Sequence, residues 1–186
     1  MKTLLLMRHA KSSWKDADLA DHERPLNKRG KKDAPFMGEV LKEKELLPQK
    51  ILASTALRVR QTVEGLAQSG FAGEVEFLDS YYLAEPEAYL EGLRGLPDTI
   101  ERAMILAHNP GLEGLLQKLT GRIESLATGS LAYLSLPIPT WAELQDGTEG
   151  ELVELFNPHE LRDQKEEAEE KEKKEKKKDK EEKKEV

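Results

Sequence analysis

The residues Leu4-Leu5-Leu6-Met7 form an apolar run of strand length that breaks off at Arg8-His9-Ala10-Lys11. So short a continuous run reads as a strand buried on both faces, as in parallel sheets covered by helices. Its far end then carries a guanidinium and an imidazole to the mouth of the sheet, where open α/β sheets bind ligands. That pair suits a phosphoryl group. The guanidinium can grip phosphate oxygens bidentately, and the imidazole can attack phosphorus or move a proton.

Strands and helices alternate along most of the remaining chain. Residues 50–53, 75–77 and 104–107 predict further strands. Asn27 is the expected N-cap of a helix through Phe36, Met37, Val40 and Leu41, with Pro35 either starting or kinking it. Ser54 and Thr55 offer N-caps for a helix over 56–68. Pro86 opens a helix through Tyr89, Leu90, Leu93 and Leu96, and Pro110 opens another through Leu112, Leu115, Leu116 and Leu119. Leu131–Leu136 and Glu151–Phe156 read as an antiparallel pair at a sheet edge. Residues 10–26 lack apolar periodicity and read as a loop or short helix over the mouth. The expected fold is a three-layer α/β/α domain over residues 1–160, with a mostly parallel central sheet and an antiparallel edge element.

Residues 161–186 are nearly all Glu and Lys, with eleven basic and eleven acidic side chains. They carry no apolar stripe and are expected to be a disordered tail or a lone exposed helix. The tail is neutral, so the formal charge of −7 belongs to the body, where 18 basic residues face 25 acidic ones. An acidic body argues against nucleic acid as a partner. The absence of cysteine excludes disulfides, thiolate chemistry and Cys-ligated zinc. The N-terminal apolar run is too short for a leader or a membrane span, so a soluble cytoplasmic protein is expected, with no membrane partner. Nothing in the sequence calls for a cofactor or a metal.

Two expected strands each end on a histidine, His9 and His108. A third leads into Ser54-Thr55-Ala56-Leu57-Arg58-Val59-Arg60-Gln61-Thr62, which puts Arg58 in the first turn of a helix. Two arginines and two histidines therefore converge on one mouth. A dianionic phosphoryl group needs positive charge on several sides, and a histidine there can form a covalent phosphoenzyme that water hydrolyses. Arg60 faces elsewhere. His22 is expected to be solvated, Arg24 to pair with an acidic neighbour, Trp14 to pack the loop down and His159 to be structural or exposed.

These residues resemble the histidine phosphatase superfamily, and in detail its SixA-type branch of small phosphohistidine phosphatases. The likeness rests on Arg8-His9-Ala10-Lys11-Ser12-Ser13-Trp14, Asp21-His22-Glu23-Arg24-Pro25-Leu26-Asn27-Lys28-Arg29-Gly30, the Ser54–Thr62 frame and Ala107-His108-Asn109-Pro110-Gly111. The resemblance implies a phosphoglycerate-mutase-like fold without metal. It makes His9 the nucleophile through its outer ring nitrogen, with the other nitrogen held by a backbone acceptor. It makes Arg8 and Arg58 the clamp on the phosphoryl oxygens, and His108 a donor to the same group. His9, lying between cations, should have a lowered pKa.

Larger relatives that cleave phosphate esters place an acid after the third strand. Here Leu78-Asp79-Ser80-Tyr81-Tyr82-Leu83-Ala84-Glu85-Pro86 offers no clean counterpart, and Glu85 or Asp79 is a positional candidate only. Nitrogen leaves a phosphoramidate more readily than an alkoxide leaves an ester, so a missing acid favours a P–N substrate. The expected partner is a protein bearing phosphohistidine. The alternatives are a small-molecule phosphomonoesterase using Glu85, and a non-catalytic phosphate-binding module.

Overall fold

The computed structural model describes residues 1–145, 147–168 and 171. Six strands form one mixed sheet: β1 (Lys2–Arg8), β2 (Lys50–Ser54), β3 (Glu74–Leu78), β4 (Arg102–Ala107), β5 (Leu131–Leu136) and β6 (Glu151–Phe156). Their spatial order is β3-β2-β4-β1-β5-β6. The first four in that order are mutually parallel, and β5 runs antiparallel to both β1 and β6. The expected parallel sheet with an antiparallel edge is what the chain forms.

Strand geometry sends successive side chains to opposite faces. Leu4 and Leu6 of β1 join one buried cluster, Leu5 and Met7 the other. β4 divides in the same way, with Ala103, Ile105 and Ala107 on the first face and Met104 and Leu106 on the second. Helices α1 (Gly30–Glu43) and α2 (Leu57–Ala67) cover the second face; α3 (Pro86–Arg94) and α4 (Gly111–Thr120) cover the first. These are the three layers.

The helix starts differ from expectation in detail. α1 begins at Gly30 with Arg29, not Asn27, in the cap position; Asn27 Oδ1 accepts the Gly30 N–H at 2.9 Å from the turn before it. A Cβ at Gly30 would sit 2.2 Å from the Lys11 carbonyl oxygen, so only glycine lets the helix approach the loop this closely. Pro35 lies inside α1, which runs through it. Neither Ser54 nor Thr55 caps α2; Ala56 occupies that position without a side-chain bond. Their hydroxyls are engaged elsewhere, by His108 and His22.

Residues 10–26 contain a 3-10 turn, Asp21–Glu23, and an isolated bridge between Ser12 and Leu26. At the other end of the chain residues 158–168 are helical. Leu161 packs against the second cluster, and Arg162 Nη1 lies 2.6 Å from Oδ1 of the buried Asp33. The described start of the Glu/Lys-rich segment therefore touches the body. Its remainder, apart from residue 171, lies outside the described residues. No helix among the described residues is long and apolar enough to cross a membrane.

Candidate active site

Register decides what meets at the mouth. Arg8 of β1 stands opposite Ala107 of β4, so the next residues, His9 and His108, leave the sheet side by side. Their ring centroids are 5.2 Å apart. Ala53 of β2 stands opposite Leu106, which brings Ser54 beside His108. The Ser54 hydroxyl oxygen lies 2.8 Å from His108 Nε2.

The polar residues Arg58, Gln61 and Thr62 of the Ser54–Thr62 frame each meet a partner that explains their type. Arg58 reaches from the first turn of α2 to both rings, with Nε 3.3 Å from His9 Nε2 and Nη2 3.3 Å from His108 Nδ1. Gln61 Oε1 accepts the Leu26 N–H at 2.7 Å and fastens the loop over the mouth. Thr62, fully buried, donates to the Arg58 carbonyl at 2.7 Å and accepts the Ala10 N–H at 3.1 Å. One hydroxyl thus fixes the turn after His9 to the helix that carries Arg58.

His9 Nδ1 lies 2.8 Å from the Ala10 carbonyl oxygen, an acceptor. That nitrogen therefore carries the proton, and Nε2 keeps its lone pair on the cup side, where it accepts the Arg58 Nε–H at 3.3 Å. Burial pushes His9 down to about 4, with Arg58 and Arg8 adding to the effect and the Ala10 carbonyl opposing it. The cations therefore come second to burial. His108 is pushed down to about 3, again chiefly by burial, then by His9 and Arg58. Both rings are neutral at pH 7. Arg8 donates through Nη1 to the Leu126 carbonyl at 2.9 Å, while its buried Nε meets no partner among the described residues.

Together these side chains line a cavity of about 400 Å3 with Lys11, Ser12, Trp14, Asp21, Arg24, Leu83, Asn109 and Thr128. Three arginines and a lysine face one carboxylate there, so a cationic cup sits in an acidic body. Such a cup has the charge and the shape to take a dianion beside a neutral imidazole nitrogen. It brings together Arg8, His9, Arg58 and His108. Glu85 is not among its lining residues: it is exposed and stands at the N-cap of α3. Asp79 is exposed and lies outside the cup as well. Among the described residues no group of His, Asp and Glu is placed to hold a metal ion.

Residues 4–79 match the model of the histidine phosphatase superfamily, branch 1. An uncharacterized chloroplastic protein of Arabidopsis thaliana is 35% identical over 153 residues, covering 76% of this chain and 70% of that protein. The chain belongs to the histidine phosphatase superfamily. It is a histidine-dependent phosphatase. An uncharacterized protein of Mycobacterium tuberculosis is 32% identical over 152 residues, 76% of this chain and 93% of that one. Among solved structures, a proposed phosphohistidine phosphatase SixA from Nakamurella superposes with a TM-score of 0.75 at 25% identity, covering 84% of this chain and 96% of that one. A proposed SixA from Agrobacterium tumefaciens gives 0.73 at 25% identity, with 84% and 98% covered. The three-layer fold is therefore that of this superfamily.

Two residues, Asp21 in the cup lining and Tyr82 behind it, carry no role in the sequence reading. Asp21 accepts from Arg24, Arg58 and the Tyr82 hydroxyl at 2.7, 3.0 and 2.6 Å. Its carboxyl is held well below the usual range by the Tyr82 hydrogen bond and then by the two arginines, with burial opposing. The spacing Asp21-x-x-Arg24 was the available signal; Tyr82 gave none. Arg24 pairs with an acidic neighbour as expected. Trp14 is 74% exposed and stacks on the Arg24 guanidinium at 3.2 Å. His22 is half-buried, not solvated, because its Nε2 lies 2.9 Å from the Thr55 hydroxyl oxygen. His159 is exposed.

Proposed function

We propose that this chain is a phosphohistidine phosphatase that works through a covalent phosphohistidine on His9. The observation that carries the proposal is the orientation of the His9 ring. Its Nδ1 proton is committed to the Ala10 carbonyl, and its Nε2 lone pair faces a cup lined by Arg8, Arg24, Arg58 and His108. In the first step Nε2 attacks phosphorus, an N–P bond forms to His9, and the P–N bond to the departing imidazole breaks. The departing nitrogen takes its proton from water. In the second step water attacks the phosphorus of phospho-His9, inorganic phosphate leaves, and His9 returns neutral. Arg8 and Arg58 hold the equatorial oxygens through both steps, and His108 donates to one of them.

The substrate class follows from the acid–base inventory. Among the described residues the carboxylate lining the cup is Asp21, held ionised by Tyr82 and two arginines, so it is a poor proton donor to an alkoxide. A P–N bond does not need that donor. The phosphoryl group would be presented by a protein, a histidine-bearing phosphotransfer partner whose side chain enters the open cup.

The test is to treat the protein with phosphoramidate, or with a phosphohistidine-bearing protein, and locate the phosphate by mass spectrometry. An acid-labile phosphate on the His9 peptide is expected, absent in His9→Ala. Turnover that persists in His9→Ala would overturn the proposal. So would p-nitrophenyl phosphate turnover that far exceeds P–N turnover and collapses in Glu85→Gln.

A further inference from the structure

Arg58 has two edges, and they are used differently. Nε and Nη2 face His9 and His108. On the other edge Nη1 donates to the Asp21 carbonyl oxygen at 2.6 Å and Nη2 to Asp21 Oδ2 at 3.0 Å. One residue therefore grips this guanidinium with both its main chain and its side chain. The second carboxylate oxygen, Oδ1, takes Arg24 Nη1 at 2.7 Å. Arg24 is otherwise held by the Ser13 carbonyl at 3.0 Å and the Ser12 hydroxyl at 2.7 Å.

Asp21 is itself fastened. The Tyr82 hydroxyl donates to Oδ2 at 2.6 Å. The adjoining His22 is tied to Thr55 at the start of the α2 segment. The Tyr82 ring in turn meets His108 edge-on, with centroids 5.5 Å apart. A chain of contacts thus runs from Tyr82 through Asp21 to Arg58 and on to the two imidazoles.

We infer that Asp21 is a positioning residue for the arginine clamp, one that acts on the phosphoryl group through Arg58 and Arg24. Tyr82 locks it in place. The inference rests on the phosphatase reading of the cup.

Two effects of the carboxylate have opposite signs, and this makes the inference testable. As a negative charge, Asp21 lowers the positive potential of the cup, so its removal by charge alone strengthens oxyanion binding. As an anchor, it fixes the rotamers of two long side chains before the phosphoryl group arrives, so its removal weakens binding. The bidentate back-edge grip argues that the second effect dominates. A guanidinium pinned on its outer edge has its inner edge already aimed between the two rings.

The experiment measures orthovanadate and inorganic phosphate binding by titration calorimetry, and phosphoramidate turnover, in wild type, Asp21→Asn and Tyr82→Phe. Thermal unfolding fixes a temperature at which all three are folded. In Asp21→Asn the vanadate Kd is expected to rise about 10- to 100-fold, with a fall in kcat. Tyr82→Phe keeps the charge and the ring, and is expected to move both quantities the same way by a smaller factor. If Asp21→Asn does not fold, Tyr82→Phe decides alone: an electrostatic role leaves it at wild-type affinity and overturns the inference. An unchanged or lower vanadate Kd in Asp21→Asn also overturns it, as does a lowered melting temperature with wild-type Kd and kcat. Wild-type protein that binds no oxyanion at all overturns the phosphatase reading and this inference with it.

Discussion

His9 and His108 lie 99 residues apart in the chain, yet their ring centroids are 5.2 Å apart because Arg8 and Ala107 are registered partners in adjacent parallel strands. Both rings sit below the mouth, 7% and 2% exposed. An imidazole buried beside another and beside an arginine resists protonation.

The pH dependence follows with a definite sign. His9 falls from its ordinary 6.5 to about 4 in the fold. Between those values the unfolded chain binds a proton that the folded chain refuses, so stability rises with pH across this window. The contribution is complete above 6.5 and is lost as pH falls through 4, about 3 kcal/mol in all for His9. His108, at about 3, acts in the same direction. In NMR titrations neither ring should show an inflection above pH 5, and the denaturation midpoint should fall between pH 7 and 5. An inflection near 6.5 from either ring would contradict this.

Arg58 should not tolerate lysine. Its planar fork touches both imidazoles and the Asp21 carboxylate at once, and an ammonium on a flexible stem can reproduce one of these contacts at most. Arg58→Lys is expected to lose about 100- to 1,000-fold in kcat/KM. Steady-state kinetics with phosphoramidate would check this. A loss confined to KM would show that Arg58 does no more than attract substrate.

Arg58 sets the resting tautomer of His108, and Ser54 accommodates it. In this arrangement His108 Nδ1 accepts from Arg58, so Nε2 carries the proton and donates to the Ser54 oxygen. To donate through Nδ1 to a phosphoryl oxygen, a neutral His108 needs Ser54 to turn and donate to Nε2 instead. A hydroxyl can do either, and alanine neither. Ser54→Ala should lower kcat about tenfold and cost about 1 kcal/mol of stability. Both are read from one preparation by kinetics and denaturant unfolding.

The centre of the sheet was legible because β1, β2 and β4 are buried apolar runs with abrupt polar ends; at the edge Leu131–Leu136 and Glu151–Phe156 match their expected bounds. The convergence of Arg8, His9, Arg58 and His108 was legible because the ends of parallel strands share one face of the fold. The α2 cap was misplaced because Ser54 and Thr55, good caps by residue type, are recruited by two histidines instead. Asp21 and Tyr82 stayed hidden because they meet across 61 residues of chain from loops without periodicity. The first turns of the Glu/Lys-rich segment differ for another reason. A single leucine makes no stripe, yet Leu161 packs on the body and Arg162 pairs with Asp33, an anchor for the helix they sit on.

That anchor bears on where the folded unit ends. Asp33 is buried in α1, with its side chain 3% exposed, and has two cationic partners. Arg162 lies at 2.6 Å from one oxygen, while Arg29 lies at 3.3 Å from the other and is itself half exposed. Ending the chain at residue 160 removes the closer partner and the apolar contact of Leu161, and leaves the buried carboxylate to the weaker one. Removing one side of a buried ion pair is costly because the other charge stays desolvated. A chain ending at 160 should therefore lose about 2–4 kcal/mol. The comparison is with a chain ending at 168, and Arg162→Ala in that chain should fall between the two. Equal midpoints for all would put the boundary at 160, where charge composition alone places it.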